Sequence, residues 1–410
     1  MVVKSNQMEM KQEKRFFGLS GNVFFAGLVS FCMDVSSEMI YPLVPLFLAS
    51  VLGVNKAMIG LIEGSAESMA SLVKVFSGWY SDRLGKRKRL MLAGYSVSTL
   101  SRPLMALAGG WHQVLAARLV DRFGKGVRTA PRDAIIADST EPSWLGRAFS
   151  FHRSMDTMGA VVGPAIAFIG LQVYHSSYRQ LFWLSSLPGV LAVLIIVFFI
   201  REKRDAPVRA DAEKPRSTGG GKLDRRAWFF IVIVAVFALG NSSDAFLILR
   251  AGQLGVPAAM IPAVYLLFNL VYSITAIPAG IVADRYGRKR LILAGFVLFA
   301  ALYAGFAVAG SPLAVWVLFA LYGVFMGLTE GIQKAFLATL TPEGLKGTAF
   351  GLYAGAVGLA ALPSSLIAGV LWDRVSPSAT FWFGAATALL AAALFAVFIA
   401  GIKSKPSFGE

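Results

Sequence analysis

A short basic sequence occurs twice in this chain, and each copy lies between two long apolar segments. The copies are GWYSDRLGKRKRL at Gly78–Leu90 and GIVADRYGRKRL at Gly280–Leu291. Both follow the pattern G-x-x-x-D-R-x-G and continue into a run of cations. Such a turn ends one membrane-spanning helix and begins the next, and its cations hold it on the cytoplasmic side of the membrane. Its repetition indicates a membrane protein built by duplication.

The apolar segments are long enough for twelve membrane-spanning helices, each of which needs about 20 apolar residues. The chain is 56% hydrophobic and its mean hydropathy is +0.64, far above that of a globular domain. We therefore predict an integral membrane protein. The predicted spans cover residues 20–48, 58–80, 90–108, 114–137, 147–173, 180–200, 227–250, 258–283, 291–309, 312–338, 347–371 and 378–402.

The two halves of the chain match in three places with nearly the same spacing. Asp82 and Asp284 are 202 positions apart, Ser36-Ser37-Glu38 and Ser242-Ser243-Asp244 are 206 apart, and Ala148-Phe149 and Ala349-Phe350 are 201 apart. The predicted fold is all-α, with 12 transmembrane helices in two pseudo-symmetric six-helix bundles around a central cavity. We expect the N-terminal bundle at 1–200, a polar cytoplasmic linker at 201–226 and the C-terminal bundle at 227–410.

The distribution of cations predicts the orientation of the chain, whose formal net charge is +16. Nine cations lie within 201–226, five within 83–89 and four within 285–290. This asymmetry predicts an integral protein of the cytoplasmic (inner) membrane with both termini in the cytoplasm. A nucleic-acid partner is not expected, because the basic loops lack an interleaved aromatic platform. The single cysteine, Cys32, argues against a disulfide framework and a thiolate metal cage.

The repeated basic turn resembles the motif that major facilitator superfamily (MFS) transporters carry between helices 2 and 3, with an echo between helices 8 and 9. The resemblance implies a conformational latch whose aspartate sits at the positive N-terminal end of another helix. On that basis we expect Asp82 near Gly347–Thr348 and Asp284 near Gly146. Alternatively, the basic run only sets the topology. The implied latch residues are Gly78, Asp82, Arg83, Gly85, Lys86, Gly280, Asp284, Arg285 and Gly287.

Two further segments resemble MFS motifs. Arg118–Gly126, RLVDRFGKG, resembles the fourth-helix pattern R-x-x-Q-G-x-G-x-G, whose arginine the family associates with proton coupling. Here Asp121 replaces the glutamine and Arg122 the first glycine. The sequence GAVVGP resembles the fifth-helix motif of drug–proton antiporters, although the glycine pair that should follow is absent. Its residues Gly159, Gly163 and Pro164 predict a helix kink or, alternatively, close helix packing.

Charged side chains inside predicted spans are the candidates for the substrate and coupling site, because inserting each one costs roughly 2.5–3.5 kcal/mol. Asp34 and Glu38, one helical turn apart, are the acids expected to exchange an arginine partner for a proton. Alternatively, many of these charges neutralise one another across helices. The second half should add an apolar aromatic wall that includes Phe268 and Tyr322. The candidates are Asp34, Glu38, Glu63, Glu67, Arg118, Arg122, Lys125, Arg128, Arg132, Asp133, Arg153, Asp156, Asp244 and Glu330.

The resemblance and the charges together predict a secondary active transporter that works by alternating access, with proton-coupled efflux of a small molecule as the favoured activity. No catalysis, cofactor or resident metal is expected, and the proton is the expected coupling ion. We expect a monomer whose partners are the lipid bilayer and the transported molecule. Two other cargoes stay open: an organic or phosphorylated anion on the basic fourth helix, and a metal cation held by Asp34, Glu38, Glu63 and Glu67. A non-transporting receptor is a further alternative, and a membrane enzyme is disfavoured because the three histidines lie on different segments.

Overall fold

The structure is a computed structural model that describes residues 19–84, 86–141, 144–173, 177–202, 223–342 and 345–403. Almost all of these residues are helical. Several predicted site residues have side chains outside the described part. They are Asp82, Arg83, Gly85, Gly280, Asp284 and Glu330.

Twelve long helical segments, named here α1 to α12, follow one another along the chain. Eleven of the twelve predicted spans overlap these segments along nearly their whole length, and the first, 20–48, continues past the end of α1. The segments are α1 Gly21–Ile40, α2 Lys56–Leu84, α3 Arg87–Leu107, α4 Trp111–Asp138, α5 Leu145–Val173, α6 Tyr178–Leu184 with Ser186–Phe199, α7 Arg225–Gly240 with Ala245–Gln253, α8 Ile261–Tyr286, α9 Arg288–Val308, α10 Pro312–Thr339, α11 Lys346–Arg374 and α12 Pro377–Lys403.

Three of the predicted continuous spans are interrupted. α1 is followed by a turn, the short helix Val44–Leu46 and a π-helical stretch at Phe47–Val51, and α6 is divided at Ser185. The helix α7 is interrupted at 241–244, Asn-Ser-Ser-Asp, because side chains of these types can hydrogen-bond to nearby backbone groups in place of the helical hydrogen bonds. The freed amide of Ser243 donates to Oγ of Ser365 in α11, 3.2 Å away, so the break is stabilised by the neighbouring helix.

Nine helices of the described chain are long and apolar enough to cross a membrane by length and composition. The remaining three, α2, α3 and α4, carry many of the charges of the first half of the chain. Six of these charged residues form ion pairs with one another: Arg102 with Asp121, Arg118 with Glu63, and Arg122 with Glu67. Mutual neutralisation is what permits such helices in the interior of a membrane protein.

The two halves use the same set of helix contacts, which confirms the predicted two-bundle architecture. In the first half α1 packs on α5 and α6, α2 on α4, and α3 on α4 and α6. Adding six to each number gives contacts of the second half: α7 with α11 and α12, α8 with α10, and α9 with α10 and α12. The residue bounds of the two domains stay a prediction.

A repeated hydrogen bond ties the basic turns to this architecture. Arg87 at the start of α3 donates to the carbonyl of Ala134 at 3.5 Å, and Arg288 at the start of α9 donates to the carbonyl of Ala335 at 3.4 Å. Both members of each pair differ by 201 positions between the halves. Gly287, with φ of +91°, connects α8 to α9 in a backbone conformation that favours glycine. These basic residues therefore hold the end of the following helix in addition to any role in topology.

The two bundles touch at one end of the molecule and separate at the other. The linker face is the side of the molecule on which α2, α4, α8 and α10 end and α3, α5, α9 and α11 begin, and the distal face is the opposite side. Near the distal face α2 packs closely on α11: Ala57 N donates to Asp373 Oδ2 at 2.7 Å, and Ser68 Oγ donates to the carbonyl of Gly358 at 2.6 Å. On the same stripe of α11, no described atom lies within 4 Å of a Cβ built on Gly351 or Gly355. The space between the bundles therefore opens to the linker face.

Matched glycine substitutions should separate the two ends of this contact. A Cβ on Gly64 would lie 2.8 Å from Cα of Leu362, whereas Gly351 faces open space. We expect Gly64→Val to force α2 and α11 apart at the distal face, and Gly351→Val to leave that contact intact. The measurement is the distance between spin labels on cysteines at Val51 and Arg374, in protein with Cys32 replaced by alanine. An unchanged distance in Gly64→Val would contradict this account of the contact.

Candidate functional site

Two glutamates of α2 form ion pairs with two arginines of α4, one helical turn apart on each helix. Glu63 pairs with Arg118, and the two side chains are only 2% and 3% exposed. Glu67 pairs with Arg122 across 2.9 Å, but its side chain is 42% exposed. Both guanidiniums lie near the ring of Tyr41, with 5.7 and 6.0 Å between Cζ and the ring centroid. The basic stripe of α4 is thus partly neutralised by α2.

A third buried pair joins α3 to α4. Arg102, 1% exposed, lies 3.1 Å from Asp121 and also donates to the hydroxyls of Ser36 and Ser101, each 3.1 Å away. The bond to Ser36 adds α1 to the cluster. Arg102 is not among the site residues predicted from the sequence. The signal was present, because an arginine inside an apolar span is unusual in itself.

Three acids of the predicted site have no such partner. Among the described residues, no cation lies within the 4.0 Å ion-pair distance of Asp34, Glu38 or Asp244. Asp34 and Glu38 are half-buried on one face of α1, in the electrostatic field of Lys125. Tyr265 of α8 interacts with Glu38 from the opposite bundle. Asp244, in the α7 break, accepts a hydrogen bond from the Tyr322 hydroxyl at 2.9 Å.

Two glycines of α5 place that helix directly against these acids. A Cβ on Gly159 would lie 2.8 Å from Cβ of Asp34, and one on Gly163 would lie 3.0 Å from Cβ of Glu38. The backbones of α1 and α5 can approach this closely only because both positions lack a side chain. α5 continues as a helix through Pro164, and the predicted kink stays a prediction.

Polar residues of α1, α4 and α5 form a chain towards the linker face. Arg132 pairs with Asp133 at 2.8 Å and donates to Oγ of Ser30 at 3.2 Å. Oγ of Ser30 shares a hydrogen bond of 2.7 Å with Nε2 of His152, whose Nδ1 lies 3.6 Å from Asp156. Sequence reasoning placed the three charged residues in the cavity but missed Ser30 and His152, because nothing in a helical pattern marks them as neighbours.

The second bundle contributes an aromatic wall. The rings of Tyr41 and Tyr265 meet across the bundles with 5.4 Å between centroids, and Phe268 lies 5.3 Å from Tyr265 and 5.4 Å from Tyr322. Phe325 stacks on Tyr322 at 5.6 Å. These rings are in the interior, next to the acids of α1, and they form the apolar surface that the sequence predicts for this half.

A cavity of about 500 Å³ lies between α5 and the second bundle, on the linker side of these rings. Arg153 reaches across it and donates to the hydroxyl of Tyr272 at 2.5 Å. Arg288 and Lys334 also line it, together with Met326. The size is typical of a small-molecule site.

The remaining predicted residues are placed as follows. Arg128 is buried with its guanidinium 4.4 Å from the ring centroid of Tyr95. Gly78 makes an ordinary contact with Ala130 of α4, Lys86 precedes α3, and Arg285 lies over the ring of Tyr286. Because the latch aspartates lie outside the described side chains, their helix partners stay a prediction.

The four carboxylates considered for a metal cation are not brought together. Glu63 and Glu67 face arginines of α4, while Asp34 and Glu38 lie against α5. Within the described ranges, no group of three His, Cys, Asp or Glu residues could hold a metal ion. The expectation that these four acids form one oxygen-ligand cluster is therefore wrong.

Two repeated six-helix bundles that enclose a charged cavity, open at one end, are the architecture of a membrane transporter. The family model of the Major Facilitator Superfamily matches residues 26–265 and 229–408, and the chain belongs to this superfamily.

An uncharacterised MFS-type transporter of Methanocaldococcus jannaschii is 37% identical over 382 residues, which cover 92% of this chain and 94% of the relative. A multidrug resistance efflux pump homologue of Lactococcus lactis is 25% identical, covering 78% and 81%. The crystal structure of the nucleoside transporter NupG shares the fold, with a TM-score of 0.78, 12% identity and coverage of 92% and 99%.

Proposed function

We propose that the protein exports a small molecule through the cytoplasmic membrane in exchange for protons. The observation that carries this proposal is the position of Asp34 and Glu38, acids at mid-span without an ion-pair partner in the described chain. A carboxylate in this position is either protonated or stabilised in its charged form by a nearby cation. A conformational change that moves the cation therefore changes whether the proton is bound, and protonation is coupled to conformation.

Export, the direction that we propose, is compatible with the orientation of the cavity. The linker face carries the basic turns, so by the positive-inside rule it is the cytoplasmic face and both termini are cytoplasmic. The described conformation then offers its cavity to the cytoplasm, where an exporter takes up its cargo. The name of the Lactococcus relative, an efflux pump homologue, supports the same direction. No catalytic step or cofactor takes part, and the unit of transport is a monomer in the bilayer.

Transport in proteoliposomes tests this function directly. Purified protein is reconstituted and offered a panel of organic carboxylates, phosphorylated metabolites, sugars and lipophilic cations, with the lumen acidic or at equal pH. We expect at least one compound to accumulate inside when the lumen is acidic, because protons leaving the lumen drive its entry. An ionophore that collapses the gradient should abolish the accumulation. Flux that ignores the gradient would contradict proton coupling, and no flux for the whole panel would favour a receptor.

A further inference from the structure

The geometry points to an organic anion as the transported compound, bound between lysines that come from both bundles; this inference deepens the proposed transport function and rests on it. The lysines are Lys74 of α2, Lys125 of α4 and Lys334 of α10, and their side chains are exposed. In the part of the chain that the structure describes, none of them has a carboxylate within ion-pair distance. Arg102, Arg118, Arg122 and Arg132 all have one.

Like charges from the two bundles face each other across the open space. Lys74 is in the electrostatic field of Lys334 from the second bundle, and of Lys125 and Arg132 from its own. Asp133 also faces Lys74, but it is already bound by Arg132 at 2.8 Å. Bringing Lys74 and Lys334 closer without an anion between them is unfavourable. An anion between them would attract both lysines, so that their approach becomes favourable.

The described residues that line the 500 Å³ cavity include three cations, Lys334, Arg153 and Arg288, and no acid. The unpaired acids Asp34 and Glu38 lie deeper, beside Lys125. A proton on either acid would make the deep end neutral or basic as well.

The walls define the rest of the ligand. Ammonium groups are compact point donors that suit a carboxylate or a phosphate. The lining of the cavity also includes the ring of Tyr272 and the thioether of Met326, and Tyr272 is 6.4 Å from Phe268, centroid to centroid. A fitting ligand therefore has one anionic group and an aromatic or otherwise apolar body. A lipophilic cation of the same size would meet only repulsion at the lysines.

Thiol reactivity measures this electrostatic preference without any transported substrate. In protein with Cys32 replaced by alanine, a reporter cysteine is placed at Gly331, which lines the cavity, or at Gly310 in a distal turn as a control. Each is treated with a negatively charged and a positively charged methanethiosulfonate reagent, and modification is followed by mass spectrometry. Normalised to the Gly310 site, the anionic reagent should be favoured at least about fivefold at the Gly331 site.

Matched variants assign that preference to the lysines. Lys74→Gln and Lys334→Gln should each reduce it several-fold, whereas Lys56→Gln, the same change in α2 at the distal face, should not. Carboxyfluorescein should protect the Gly331 site, and rhodamine 123, a cationic xanthene dye of similar size, should not. The proposal is overturned if rhodamine protects the site equally well or if carboxyfluorescein does not protect it. It is also overturned if the preference for the anionic reagent is unchanged in Lys74→Gln and Lys334→Gln. An anion-selective site in a protein without gradient-driven flux would refute the proposed function alone.

Discussion

Replacing Glu38 with glutamine is expected to reduce transport driven by a pH gradient to the level of protein-free liposomes. The substitution keeps the shape of the side chain and its place beside Gly163, but it removes the group that takes up the proton. Exchange of labelled for unlabelled compound at equal pH should persist, because exchange does not require net proton movement. The measurement uses whichever compound the proteoliposome panel identifies.

Glu38 is a better candidate than Asp34 because it meets both bundles. Its carboxylate interacts with Tyr265 of α8 from one side and is in the field of Lys125 and Arg122 of α4 from the other. When the bundles rock, the contact with α8 must change, so the balance between proton and cation at Glu38 changes with it. Among the described residues, the charged neighbours that act most strongly on Asp34 are Asp156, Glu38, Lys125 and Arg128, all from the first bundle. Asp34→Asn should therefore weaken gradient-driven transport less than the change at Glu38.

The matched control is Glu67→Gln, an acid of α2 whose charge is already balanced. Glu67 pairs with Arg122 at 2.9 Å, and this cation opposes proton uptake by the carboxylate. Gradient dependence should survive the substitution. If Glu38→Gln leaves gradient-driven flux untouched, or if Glu67→Gln removes it equally well, the assignment of the coupling acid is wrong.

Much of the fold can be read from local features of the sequence. Apolar length sets the spans, and the spacing of repeated residues shows the duplication. The break in α7 shows where this reasoning ends. Ser36-Ser37-Glu38 lies inside a helix, whereas the matching Ser242-Ser243-Asp244 does not. The hydroxyl of Ser365 in α11 accepts a hydrogen bond from the amide of Ser243 at this break. A hydrogen bond between residues 122 positions apart cannot be predicted from either segment.

The candidate site also has features that the sequence predicts and features that depend on tertiary packing. Helical periodicity shows that Glu63 and Glu67 share a face, and that Arg118 and Arg122 share another. It does not show that these two faces meet, because that depends on the packing of α2 against α4. The difference between paired and unpaired acids is therefore a property of the tertiary structure alone. So is the position of Tyr265 beside Glu38.

Glu63→Gln should strongly destabilise the protein. It leaves the charge of Arg118 in an environment where that side chain is only 3% exposed. Removing one partner of a buried ion pair typically costs about 3–5 kcal/mol. We expect the apparent melting temperature in detergent to fall by roughly 5–10 °C, the scale that a loss of this size implies for a large domain. Thermal unfolding monitored by size-exclusion chromatography gives the measurement.

Glu67→Gln is the control for this prediction too, since the same change is made one turn away on the same helix. With 42% of its side chain exposed, Glu67 is reached by solvent, although its partner Arg122 is only 6% exposed, so its loss should cost less than the loss of Glu63. Equal destabilisation by the two changes would show that burial does not determine the cost.

The double change Glu63→Leu with Arg118→Met separates the two roles that Arg118 can have. Replacing both buried charges with apolar groups of similar volume is often neutral for stability, so the melting temperature should return close to that of the unaltered protein. Gradient-driven transport should be lost in the double variant, because Arg118 also faces the ring of Tyr41, which meets Tyr265 across the bundles. Recovery of both properties would reduce Arg118 to a structural partner of Glu63. Recovery of stability alone would place its charge in the path between α4 and the acids of α1.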